Sequence, residues 1–173
     1  MKKFTVIRDT KEHKQKGWEF DISDDDWDFN NNDPLNEYSY KTIGQSLKTG
    51  DYTIVGFEKI LCIERKGSAA EWYSNVLQNR FIKELERMQS YKYRFIVCEF
   101  DVSDILNFYF SPLAKKIGIK MNGKFVLKKT IELMIKYNVN ILFCGNKGKD
   151  VVLSIFKRVI ENESISSKNK RSN

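Results

Sequence analysis

The chain has 173 residues, with 30 Lys and Arg against 23 Asp and Glu, a formal net charge of +7. That length is the size of one domain with a core of its own, and the basic excess favours a polyanionic partner such as nucleic acid. No apolar run has the length of a membrane span and the N-terminus has no apolar signal region, so a soluble, unexported, cytoplasmic protein is expected. Cys62, Cys98 and Cys144 are widely spaced inside apolar runs and read as reduced core residues, neither a disulfide framework nor a zinc site.

In chain order, residues 3–8 (KFTVIR) form a first strand that ends at Asp9-Thr10-Lys11-Glu12. An isolated Asp past a strand end is commonly a turn cap, and a site carboxylate is the alternative. Trp18 and Phe20 precede an acidic, Asn-rich loop over residues 21–36. Asp26, Asp28, Asn30 and Glu37 have the spacing of a calcium loop, but Asn31 stands where its glycine belongs, so a solvated loop is the expectation. Ser68-Ala69-Ala70-Glu71 is a capping box that opens a helix, with Tyr73, Leu77, Phe81, Leu85 and Met88 as its buried stripe. In that setting Glu71 reads as a cap before it reads as a metal ligand, and Arg80 lies beside the stripe. Residues 94–100 (RFIVCEF) are apolar on both faces, as a central strand is.

A short helix over residues 101–110 stops before Pro112, a basic link spans 115–124, and a second amphipathic helix covers 125–137. A strand at 139–144 and a third helix at 150–161 follow, and the tail from 162 is polar and expected to be disordered. Strands alternating with helices predict an α/β domain, residues 1–161, with a mixed central sheet flanked by helices.

The stretch over residues 50–66, GDYTIVGFEKILCIERK, carries the chemistry. Two apolar runs flank Gly56-Phe57-Glu58-Lys59, which predicts a β-hairpin turning over those four residues. Val55 then faces Ile60, and the same register sets Asp51 opposite Glu64, on one face of the sheet. Alternation adds Lys66 to that face and turns Arg65 away. Paired carboxylates are hard oxygen ligands that hold Mg²⁺ while leaving part of its shell to water and phosphate, and the ammonium offsets charge developing on that phosphate.

Taken together, Asp9-Thr10-Lys11-Glu12, Gly50-Asp51 and Glu64-Arg65-Lys66 resemble the three ordered motifs of the XPF/Mus-type structure-specific nuclease domains, a branch of the PD-(D/E)xK, restriction-endonuclease-like fold. The Trp18-x-Phe20 pair is similar to one in small phage-type members, so a bacterial or phage-infected cell is the implied setting. The resemblance spans roughly residues 3–145 and implies a Mg²⁺- or Mn²⁺-dependent DNA endonuclease acting in repair or recombination on flapped, branched or single-stranded DNA. It implies Asp51, Glu64 and Asp9 as metal ligands and Lys66 as the catalytic lysine, with Asp9 and Glu12 as supporting acids. Arg65, Arg80 and Lys11 are the implied DNA contacts. Lys11 replaces the arginine of the first motif, keeping its charge without its bidentate geometry, and Ala70 stands where the extended motif has Asp. No helix-hairpin-helix module is recognisable after Asp150, so DNA affinity falls to the nuclease surface, a homodimer or a partner bearing that module. A catalytically silent DNA-binding scaffold, a Holliday-junction-type resolvase and an RNA-directed nuclease are the competing functions.

Overall fold

The computed structural model describes residues 2–12, 17–21, 38–116, 118 and 120–169. Strand β1, Lys2–Arg8, lies between β2, Tyr38–Gly44, and β3, Tyr52–Ile54, and β4, Leu61–Lys66, continues the sheet to β5, Tyr93–Cys98, and β6, Asn140–Phe143. The sheet order is β2-β1-β3-β4-β5-β6, antiparallel at β1/β3 and β3/β4 and parallel at β1/β2, β4/β5 and β5/β6. It is the mixed α/β sheet that the alternation of elements predicts.

The parallel steps from β4 to β5 and from β5 to β6 are carried by helices, because the chain must recross the sheet to start the next strand in the same direction. Helices α1, Ala69–Asn75, and α2, Asn79–Met88, join β4 to β5. Helices α3, Val102–Phe108, α4, Pro112–Lys116, and α5, Gly123–Tyr137, join β5 to β6. A single 3-10 turn, Gly145–Lys147, leads into α6, Gly148–Asn169. No helix among the described residues is long and apolar enough to cross a membrane.

Alternation along β4 and β5 divides the core in two. Cys62, Ile96 and Cys98 pack under α1, α2, α3 and α5 with Trp72, Tyr73, Leu85 and Leu133. Leu61, Ile63 and Val97 point the other way, onto Trp18, Phe20, Tyr52 and the α6 residues Val152 and Phe156. The three cysteines are free; Cys62 and Cys98 are buried and Cys144 is half-buried.

Three expectations are corrected. The expected single helix after Ser68 is two, because contacts at steps of four residues drift around a helix that turns once per 3.6, and the break over residues 76–78 resets the phase. Leu77 is consequently 47% exposed while Val76 is buried. Residues 38–44, given no strand by the periodicity, form the edge strand β2, where only Tyr38 and Tyr40 are buried. Residues 162–169, assigned by composition to a disordered tail, continue α6. The calcium-like positions Asp26, Asp28, Asn30 and Glu37 fall outside the described residues.

Candidate active site

Gly50 sets the geometry of the hairpin's entrance. Its φ is +77°, and a Cβ added there would lie 2.6 Å from Cys62 Sγ and 2.9 Å from the Ile63 carbonyl oxygen, so only glycine fits. The close approach lets the Asp51 N–H donate to the Ile63 carbonyl at 2.7 Å. Tyr52 pairs with Ile63, the register in which Asp51 stands opposite Glu64. β3 stops at Ile54 and β4 starts at Leu61, so residues 55–60 form a wider turn than the four predicted.

On the α1/α2 side of β4, Lys66 Nζ lies 2.8 Å from Glu64 Oε1, 3.3 Å from Glu71 Oε1 and 5.3 Å from the centre of the Phe81 ring. Its side chain is 7% exposed. Asp51 Oδ2 accepts the Arg65 backbone N–H at 2.7 Å. These groups line an open, polar cleft of about 440 Å³, and Asp9, Lys11, Glu12 and Arg80 line it too. Lys11 and Arg80 are exposed there.

Burial pushes the Asp51 carboxyl well above the ordinary carboxylate range, and the facing Glu64 charge pushes it further. Burial also raises Glu64, against the opposing pull of Lys66. Lys66 is itself raised: burial works to lower it, but Glu64, Glu71 and Asp51 outweigh that. The cluster therefore holds a firmly protonated ammonium beside two carboxyls that resist ionising.

The opposite side of β4 is a scaffold. Arg65 Nη1 bonds Glu12 Oε1 at 2.8 Å and Nη2 bonds Glu99 Oε2, while the guanidinium carbon lies 5.3 Å from the Trp18 ring centre. Glu99 also accepts from Trp18 Nε1. Arg65, implied above as a DNA contact, thus has its charge engaged by two carboxylates. Asp9 is buried and its Oδ1 accepts the Leu47 N–H at 3.2 Å, which ties the first motif to the approach to Gly50. Glu71 sits in the cap: its N–H is capped by Ser68 Oγ at 3.2 Å, while its carboxylate reaches Lys66 and the Gly67 N–H.

Among the described residues no group of three or more His, Cys, Asp or Glu is arranged to hold a metal ion. Two hard oxygen donors at an open cleft nonetheless fit a cation that keeps several waters, as Mg²⁺ does, and not an all-protein cage. Glu99 and Glu84 are the acidic residues the sequence reading missed. Glu84 accepts the Gly50 N–H at 3.3 Å. Glu99 was legible by alternation, since Phe95, Val97 and Glu99 share the Trp18 face.

An ERCC4 domain model matches residues 8–150. No curated protein sequence is significantly similar. The fold is similar to that of the XPF from Aeropyrum pernix, at a TM-score of 0.56 and 15% identity over 90% of this chain and 60% of that one. It is also similar to the structure titled as that XPF in complex with DNA, at a TM-score of 0.55 and 15% identity over 92% and 66%. The chain spans 60–66% of the length of those solved chains, and at that identity the likeness is one of fold. With residues 8–150 matched, the chain belongs to the ERCC4 domain family, that of the XPF/Mus-type nuclease domains its three motifs resemble.

Proposed function

We propose that the chain is a divalent-metal-dependent endonuclease that hydrolyses DNA phosphodiester bonds, with selectivity for flapped, branched or single-stranded DNA. The observation that carries this reading is Asp51 opposite Glu64 with Lys66 2.8 Å from the latter, at the wall of an open polar cleft. Asp51 and Glu64 would hold Mg²⁺ or Mn²⁺, which when bound supplies Lewis acidity toward the scissile phosphate. Asp9, already engaged by the Leu47 N–H, and Glu12, engaged by Arg65, act as supports.

The raised Lys66 pKa supports a role as a charge and not as a base. An ammonium whose pKa is raised is a poor general base, so Lys66 acts as a fixed positive charge. Two of its three protons are directed to Glu64 and Glu71, and the third is available to orient the attacking water or to offset charge on the phosphate. Phe81 beneath it limits its freedom, so little reorganisation accompanies the reaction. Arg80, exposed one residue before Phe81, is placed to meet a phosphate at the rim. A silent scaffold of the same fold has no need of this cluster, and its presence favours the enzyme.

The test is cleavage by the purified full chain, with Mg²⁺ or Mn²⁺, of single-stranded, duplex, flapped and nicked DNA. Cleavage that stops with chelator supports the proposal. A folded protein that cleaves none of the four with either metal contradicts it.

A further inference from the structure

The nuclease cleft leaves one strongly charged feature unused. Between residues 105 and 131 the chain has six lysines and no Asp or Glu, against a net charge of +7 for the whole protein. Lys115, Lys116, Lys120, Lys124 and Lys128 are exposed and none is in an ion pair among the described residues; Lys129 pairs with Glu132. Three aromatic side chains are exposed on the same stretch, Tyr109 at 37%, Phe110 at 72% and Phe125 at 47%. Uncovered rings of that size on a domain whose core holds most of its aromatics call for a ligand.

The fold gathers these residues. Helices α3 and α5 pack closely: a Cβ added to Gly123 would lie 2.4 Å from Leu106 Cα, so α5 begins against the C-terminal half of α3. That contact brings the Lys124 and Phe125 turn to α3, which is followed directly by Tyr109 and Phe110, whose rings are 5.4 Å apart. Asp104, the nearest acid on α3, is spent on the Asp101 N–H at 2.7 Å. A groove runs from Gly67, the residue after Lys66, past Ala70, Glu99 and Asp104 to Asn107 and Leu113, beside the C-terminal end of α3.

We infer that the α3–α5 patch is a second nucleic-acid site that grips single-stranded DNA leading away from the cleft, which rests on the nuclease reading for its biological sense. Exposed lysines supply the phosphate attraction, and exposed rings supply stacking faces that only unpaired bases can use. Duplex DNA offers the first interaction and not the second, so the aromatics make the site selective for single strands.

The experiment measures binding without turnover, by fluorescence anisotropy of labelled oligo(dT) and of a duplex of equal length, in EDTA. Phe110→Ala/Phe125→Ala should weaken oligo(dT) binding roughly 10- to 100-fold and duplex binding by less than about 3-fold. Lys115→Ala/Lys116→Ala/Lys120→Ala should weaken both and reduce the oligo(dT) salt slope by about 2. Lys59→Ala/Lys136→Ala/Lys147→Ala, with the same charge change elsewhere, should leave oligo(dT) binding within about 3-fold, and circular dichroism checks that all variants fold. Patch variants indistinguishable from this control would overturn the inference. So would a wild-type dimer that becomes a monomer on loss of Phe110 and Phe125 with oligo(dT) binding unchanged, since the patch would then be a subunit interface. If the wild type cleaves DNA and the patch variants bind normally, only this inference fails. If the patch variants lose single-strand binding while no metal supports cleavage, the nuclease reading fails and the binding site stands.

Discussion

Asp51→Asn exposes the tension at the site without dismantling it. Asparagine is nearly isosteric and keeps an oxygen to accept the Arg65 N–H, at 2.7 Å in the present structure, while it removes the negative charge facing Glu64. Asp51 has its pKa raised above the ordinary 3.8, so between that value and the raised one the folded state binds more protons than the unfolded. In that window the stability of the metal-free protein falls as pH rises. Relief of a buried, poorly compensated carboxylate is worth about 1–2 kcal/mol, discounted here because Lys66 already offsets part of the charge. For a chain of this length that is a rise of roughly 2–6 °C in Tm. Thermal unfolding followed by circular dichroism at pH 7 in EDTA should show the variant above the wild type, with the gap narrowing toward pH 4. Added Mg²⁺ should raise the wild-type Tm by mass action and leave the variant unmoved. A variant that melts below the wild type in EDTA would refute the reasoning, because Asp51 would then be a structural acceptor with no excess charge to relieve.

Gly50→Ala places a methyl against Cys62 Sγ and the Ile63 carbonyl at a φ of +77°, and should cost about 2–4 kcal/mol in denaturant unfolding. Arg65→Ala leaves Glu12 and Glu99 without their shared cation and should cost about 2–4 kcal/mol of stability, whereas the single-turnover cleavage rate of the protein that remains folded should fall far less than on loss of Lys66. Ca²⁺ in place of Mg²⁺ should permit DNA binding with little turnover, checked by gel shift beside a cleavage assay, since its larger, looser shell suits the chemistry poorly.

The hairpin was legible because two independent signals agree on it. The turn residues 56–59 fix the register and alternation fixes the faces, so Asp51, Glu64 and Lys66 converge in sequence and in space alike. Strands β1, β4 and β5 announce themselves as apolar runs for the same reason that they sit inside the sheet, and β6, at the far edge, is legible from the apolar run over residues 141–143. β2 does not, because an edge strand with its later residues in solvent keeps too little apolar pattern to be seen. The break between α1 and α2 was hidden by Leu77, which continues a spacing of four but faces solvent. Arg65 is a DNA contact only by resemblance; that its charge is engaged by Glu12 and Glu99 depends on the β1–turn segment folding back over β4, which no local pattern encodes. Glu99 lies inside a run read as apolar on both faces and so passed unnoticed, although its position on the Trp18 face made it part of the scaffold.

The central claim is that the face of β4 bearing Glu64 and Lys66 is the hydrolytic centre. Its most direct test is the single-turnover cleavage rate at saturating protein for wild type and Lys66→Ala, with Mg²⁺ present and DNA affinity measured in parallel. Removing one fixed charge that acts on the transition state should lower the rate by about two to four orders of magnitude, with Tm and DNA affinity little changed. A Lys66→Ala protein that binds and cleaves at the wild-type rate would contradict the account.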